Sequence, residues 1–425
     1  MKLLKNTFQR KSVALCSLVM LSSVAANSFA QSNPAIACPG YKQPKTQILS
    51  ERTGKKLQSA IEAYNEEKLS EAISIIREID PKEEFDKAAV DRLYGQMLLM
   101  QDPKNAPQAL TLLEGAVKAK VLNDRDQADL LQLVGDLSLQ EEKYREAISY
   151  YNQWMEFTCK EEEKMYTRMA QAYSELQQYD KVIEAADKAI ALQEKPDKNP
   201  YALKVNAYHE TKNYPEGLKT LETLVQLFPT EKQWWTQLGF YYMLTEDYPK
   251  ALSTFSLAYK QGFVQRPAEF KALVQLYASQ EVPFKSAELQ KKFMEAGEID
   301  NDADSIATLA NSYHQAKEFK EAAQYYAQAA QKSNDPEMYR KQGALLLTAE
   351  DYKGAITALE RALAANISDP GKVHFSLMEA NFYAGNYRDA FEHAEEAAKD
   401  AQLRRNANAW IPYIKEKAKN RGIRL

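Results

Sequence analysis

The chain has 425 residues, of which 27% are charged, with a net charge of −4. That length exceeds one ordinary compact core and suits a large repeat array, and the acidic excess argues against general nucleic-acid binding. Only 14 residues are glycine, while Ala, Leu, Glu, Lys and Gln abound, a composition that favours helix.

The N-terminus reads as a secretory signal over residues 1–30. Lys2, Lys5, Arg10 and Lys11 form a basic region, an apolar stretch runs from Val13 to about Ala26, and Ser28-Phe29-Ala30 offers small residues at a cleavage site. The apolar stretch is short for a membrane span and contains several serines. The expected location is the periplasm. Cleavage would remove four basic residues and no acidic one, taking the net charge from −4 to −8. Cys16 would leave too, so Cys38 and Cys159 are the remaining thiols. An oxidising compartment allows them to pair, and the sequence leaves a disulfide and two free thiols both open.

Residues 31–50 contain Pro34, Pro39, Gly40 and Pro44 without an apolar period, and read as an extended arm. Helical periodicity begins near Arg52 and continues almost to the end. A small residue recurs at Ala72, Ala109, Ala147, Val182, Gly217, Ala251, Ala287, Ala322, Ala355 and Ala390, with spacings of 33 to 38. A bulky residue stands three positions earlier in nearly every copy, for example Tyr179, Tyr214, Tyr248 and Tyr387. The second copy departs, because Asp102-Pro103-Lys104-Asn105-Ala106-Pro107 occupies that turn; a longer loop is expected there. Loops are expected at Glu194–Pro200 and Ser368–Gly371.

The sixth copy is the best formed. Trp235, Leu238, Gly239 and Tyr242 match W-x₂-L-G-x₂-Y, and Ala251 and Phe255 complete A-x₃-F. Trp235 is expected in the core, and Trp234 beside it as either extra packing or an exposed anchor. The pattern resembles the tetratricopeptide repeat (TPR), which implies an all-α superhelical solenoid of about ten helix-turn-helix repeats over residues 51–400. Residues 401–425 read as a capping helix with a basic tail, where seven Lys or Arg from residue 403 onward face Glu416 alone.

No reactive constellation appears. The four histidines, His209, His314, His374 and His393, lack metal-ligand spacing; there is no Gly-rich phosphate loop and no G-x-S-x-G. An enzyme is not expected, and no cofactor or metal is implied. Function is expected along the concave groove lined by first helices. Lys164, Arg168, Gln171, Asn206, His209, Gln237 and Phe240 are placed there in the fourth to sixth copies, with Trp234 as the anchor candidate. Asn311, His314, Arg340 and Lys341 follow in the eighth and ninth. Mixed amide, cationic and aromatic groups suit an extended, partly acidic peptide.

A narrower resemblance rests on Ala37-Cys38-Pro39-Gly40, Ser50-Glu51-Arg52-Thr53-Gly54-Lys55-Lys56, Asn199-Pro200-Tyr201-Ala202-Leu203-Lys204, Tyr259-Lys260-Gln261-Gly262-Phe263 and Ala310-Asn311-Ser312-Tyr313-His314. With these stretches the chain resembles periplasmic TPR proteins of Gram-negative marine bacteria associated with TonB–ExbB–ExbD systems. The resemblance implies an accessory component of TonB-dependent transport, for example of iron, acting through protein contacts with TonB, ExbB or ExbD. An adaptor for peptidoglycan or outer-membrane assembly enzymes is the alternative.

Overall fold

The computed structural model describes residues 35–425, and the signal segment read at 1–30 lies outside them. Among the described residues the chain is all helix, with 21 α-helices, one 3₁₀ turn and no strand. It divides into two compact units. The first runs up to residue 134 and includes 152–160; the second comprises 135–151 and 161–425.

The first unit holds α1 (Glu51–Asn65), α2 (Leu69–Arg77), α3 (Glu84–Gln101) and α4 (Ala106–Ala119). It also takes parts of α5 (Asp124–Gln140) and α6 (Tyr144–Thr158). The expected long loop after α3 is instead a single 3₁₀ turn, Pro103–Asn105. Asp102 accepts from the Lys104 N–H at 2.9 Å, and Pro103 opens the turn where an N–H would be orphaned anyway. The chain therefore passes from α3 to α4 without spare length.

The arm is tied down along this unit. Ala37 N–H donates to Thr158 O at 2.7 Å, Tyr41 Oη to Asp124 at 2.8 Å, and Gln47 N–H to the Asn123 side chain at 2.9 Å. Ser50, just before α1, then ties the end of the arm to α3 by donating its N–H and hydroxyl to Asp86. Asp86 is almost fully buried. Burial pushes its carboxyl up, but the Ser50 and Thr53 hydroxyls and the Ser50 N–H hold it below its ordinary value. Cys38 and Cys159 form a disulfide with Cα atoms 4.9 Å apart, joining the arm to the residue just past α6.

The second unit continues the hairpins. They are α7 (Glu163–Glu175) with α8 (Tyr179–Ala191), α9 (Lys198–Glu210) with α10 (Tyr214–Leu227), and α11 (Lys232–Leu244) with α12 (Tyr248–Lys260). Then come α13 (Pro267–Ser279) with α14 (Pro283–Glu295), α15 (Ala303–Gln315) with α16 (Phe319–Ser333), α17 (Pro336–Thr348) with α18 (Tyr352–Ala364), and α19 (Pro370–Ala384) with α20 (Tyr387–Ala397). α21 (Arg404–Asn420) packs on α20 and buries Ala407, Ile414 and Ala418. Helices α9 and α19 begin inside the two spans expected to be loops, so those connections are shorter than the sequence suggests.

One local device closes most hairpins. The first helix of α11–α12 ends where Glu246 adopts φ 61°, the Glu246 N–H bonds Met243 O, and the Asp247 N–H bonds Tyr242 O at 2.8 Å. This six-to-one and five-to-two pair is the Schellman ending, which satisfies the last carbonyls and turns the chain sharply. The same left-handed residue recurs at Glu67, Glu142, Gln177, Lys212, Lys317 and Glu350, and as Gly385 at the last hairpin.

Five residues after each of these comes the recurring small residue, and all ten small positions are buried. The fit is tight where both helices carry the pattern. A Cβ added at Gly239 would lie 2.5 Å from the Phe255 ring, so glycine there is what lets α11 and α12 approach.

Candidate functional site

The first helices carry the residues expected to line a binding face, and the structure sorts them into two groups. Lys164, Gln171, Asn311 and His314 are exposed. Arg168, Asn206, His209, Gln237, Phe240, Arg340 and Lys341 are half-buried and mostly engaged by neighbouring side chains.

The two arginines are already matched. Arg168 on α7 lies 2.8 Å from Asp136, which also accepts from Tyr151 Oη at 2.9 Å. Burial drives the Asp136 carboxyl above its ordinary value, and the Arg168 charge and the Tyr151 hydroxyl pull against it. Arg340 Nε donates to Glu337 one turn back at 2.9 Å. That bond is the first cause holding the Glu337 carboxyl below its ordinary value. Both guanidinium groups thus already meet a carboxylate of their own chain.

Other positions are held by packing. Phe240 meets the Phe255 ring edge-on at 5.0 Å. His209 sits between Tyr214 and Tyr241, with ring centroids 6.0 and 6.1 Å away. Lys341 lies over the Tyr326 ring at 5.5 Å, and the Tyr326 hydroxyl donates to Asn311. Several tyrosines pair with acids across neighbouring helices: Tyr242 Oη donates to Glu222 at 2.7 Å and Tyr313 Oη to Glu288 at 3.1 Å. Burial comes first in raising both phenols above their ordinary value, followed by these acids. Much of the chain's tyrosine content thus joins helices rather than facing a ligand.

Trp234 takes the packing role of its two expected alternatives, and Trp235 is less buried than expected. Trp234 is 5% exposed and belongs to the core of α9 to α14. Trp235 is only half-buried, and its Nε1 donates to Pro229 O at 2.9 Å. The cause is the helical period: Trp234, Leu238, Tyr241 and Tyr242 fall on one stripe of α11 at i, i+4, i+7 and i+8, and all four are buried. Trp235 lies on the edge of that stripe and clamps the turn before its own helix.

Two clusters were not legible as spacing. His374 on α19 and His393 on α20 bring their Nδ1 atoms to 3.1 Å, although 19 residues separate them. Burial comes first in lowering both imidazoles below their ordinary value; His393 adds to this for His374, while Asp389, Glu392 and Glu396 oppose it for His393. The hairpin register could have paired them, since they occupy facing helices. The other cluster gathers Tyr352, Phe382, Tyr383, Trp410 and Tyr413, with Tyr352 and Tyr383 stacked at 5.5 Å. Tyr383 and Tyr413 are well exposed. Tyr413 lies on the cap, outside the repeat register, so no repeat position announces it.

Among the described residues no group of three or more His, Cys, Asp or Glu could hold a metal ion. No helix among them is long and apolar enough to cross a membrane.

Residues 163–196, which span α7 and α8, match the tetratricopeptide repeat. Over 186 residues the chain is 25% identical to anaphase-promoting complex subunit 3 of Schizosaccharomyces pombe, a match covering 42% of this chain and 27% of that protein. The C-terminal part of a TPR repeat-containing protein from Cytophaga hutchinsonii superposes with a TM-score of 0.41 and 18% identity, over 57% of this chain and 98% of that one. A tetratricopeptide repeat protein from Parabacteroides merdae gives 0.36 and 13%, over 59% and 98%. With one hairpin matching the repeat and the others following its register, the chain is an all-α protein of the tetratricopeptide-repeat fold.

Proposed function

We propose that this chain is a periplasmic interaction scaffold, an accessory component of TonB-dependent energy transduction that holds a segment of TonB, ExbB or ExbD. The observation that carries this reading is the set of exposed polar side chains on two of the first helices, α7 and α15. Lys164 and Gln171 on α7, and Asn311 and His314 on α15, project from hairpins whose cores are closed. These side chains present donors and acceptors to an extended chain, whose own backbone needs both. The N-terminal basic and apolar segment and the Cys38–Cys159 disulfide support export to an oxidising compartment. In this reading the protein is a binding partner without catalytic residues.

In-cell cross-linking followed by mass spectrometry identifies what these side chains hold. TonB-system proteins cross-linked to α7 and α15, and lost in a variant with Lys164, Gln171, Asn311 and His314 all changed to Ala, are the expected result. A deletion strain should lose growth on chelated iron and regain it with the wild type only. Unchanged TonB-dependent uptake in that strain would overturn the proposal, and recovery of peptidoglycan or outer-membrane assembly enzymes instead would establish the adaptor alternative.

A further inference from the structure

The second helices carry a separate feature, a groove between α16 and α18. On α16 one wall is Lys320, Gln324 and Gln328; on α18 the other is Lys353, Thr357 and Arg361. Each set is spaced i, i+4, i+8, so each forms a single stripe along its helix. All six are exposed. The floor between them is cut low by small side chains, Ala323 and Ala327 on one helix and Gly354 and Ala358 on the other, with Gln342 of α17 at its side.

We infer that this groove binds an acidic, extended segment of another protein. Three features select that occupant. The first is charge. Lys320, Lys353 and Arg361 enter no ion pair among the described residues. The acid beside them, Asp351, caps α18 by accepting from the Gly354 N–H at 3.0 Å. Three uncommitted cations on a chain whose net charge is −4 form a local reversal of sign, and acidic groups are its complement. The second is shape. Eight residues of helix rise about 12 Å, the length of three to four residues of extended chain. The small side chains of the floor leave the space between the two walls to a main chain. The third is hydrogen bonding. Gln324 and Gln328 each offer a donor and an acceptor, which is what the unpaired N–H and C=O groups of an extended segment require. This face is built from second helices, so it is distinct from the first-helix side chains proposed above.

The test is fluorescence anisotropy of the full chain with a fluorescein-labelled Gly-Glu-Asp-Glu-Asp-Gly peptide. Saturable binding is expected, weakened about tenfold or more by Lys353→Glu with Arg361→Glu, and weakened further by salt. The isosteric Gly-Gln-Asn-Gln-Asn-Gly peptide should bind far less. Ala327→Leu, which fills the floor without changing charge, should also weaken binding, while thermal melts of these surface variants match wild type. Lys417→Glu with Lys419→Glu on α21 should leave binding unchanged. An absence of saturable binding would overturn the inference. So would equal loss in the α21 variant, or equal affinity for a labelled oligothymidine, since either would mean general attraction of polyanions.

Discussion

Trp234 and Trp235 show how much one helical step decides. Trp234 lies on the buried stripe of α11, and its Nε1 has no partner, so the indole contributes through packing. Trp234→Ala should destabilise the surrounding hairpins by about 3–5 kcal/mol, the cost of emptying a large aromatic site. Trp235→Phe should cost only about 1 kcal/mol, through loss of its bond to Pro229 O. Urea unfolding followed by circular dichroism measures both, and equal costs would refute the assignment. The motif that makes these residues conspicuous in the sequence names Trp235, yet burial favours its neighbour. A spacing rule records which residue types recur; it does not record where the first turn of α11 starts, and that start sets which face Trp234 occupies.

At the scale of elements, the hairpin turns and the last helix pair carry testable physics. Glu350 occupies the left-handed region at φ 60° to close α17. A side chain there is strained and glycine is not, so Glu350→Gly should raise stability by about 0.5–1 kcal/mol. A lowered urea midpoint would show that the Glu350 side chain contributes more than its strain costs. Between α19 and α20, the neutral histidine pair shares a proton, one Nδ1–H donating to the other Nδ1. Burial holds both imidazoles below their ordinary value of 6.5, with the His393 ring adding to it for His374, so the unfolded chain binds protons first as pH falls. The stability of this hairpin should be full above that value and fall progressively below it. Hydrogen exchange across residues 370–397 should therefore speed up between about pH 7 and about pH 5 after correction for intrinsic rates, and His393→Gln should flatten that dependence. The helices themselves were legible, because small and bulky residues alternate at a fixed interval. The histidine contact was not, because it depends on which faces α19 and α20 turn toward each other.

For the whole molecule, the disulfide has the widest consequence. It closes a loop with a sequence separation of 121, which in the chain-entropy view stabilises by up to about 5 kcal/mol. Cys38→Ala with Cys159→Ala should release the arm and speed hydrogen exchange in residues 35–134, while exchange across 161–425 stays unchanged. Unchanged exchange in the first unit would show that the arm's hydrogen bonds to Asn123, Asp124 and Thr158 hold it alone. The candidate binding face also changes at this scale. Arg168 and Arg340 read as receptors for acid, but each meets a carboxylate of its own chain. Lys320, Lys353 and Arg361 attract no notice in sequence and stand together only because α16 and α18 pack across α17.

The sequence by itself determined the repeat unit, the number of hairpins and the capping helix, because these rest on local periodicity and on small residues that a close helix crossing demands. Tertiary structure alone decided the pairing of Cys38 with Cys159, which of the two tryptophans is buried, the partners of the arginines and the sites where unpaired charge remains. Those outcomes depend on distances between residues far apart in the chain, and such distances are set by packing angle and helix phase rather than by spacing along the backbone.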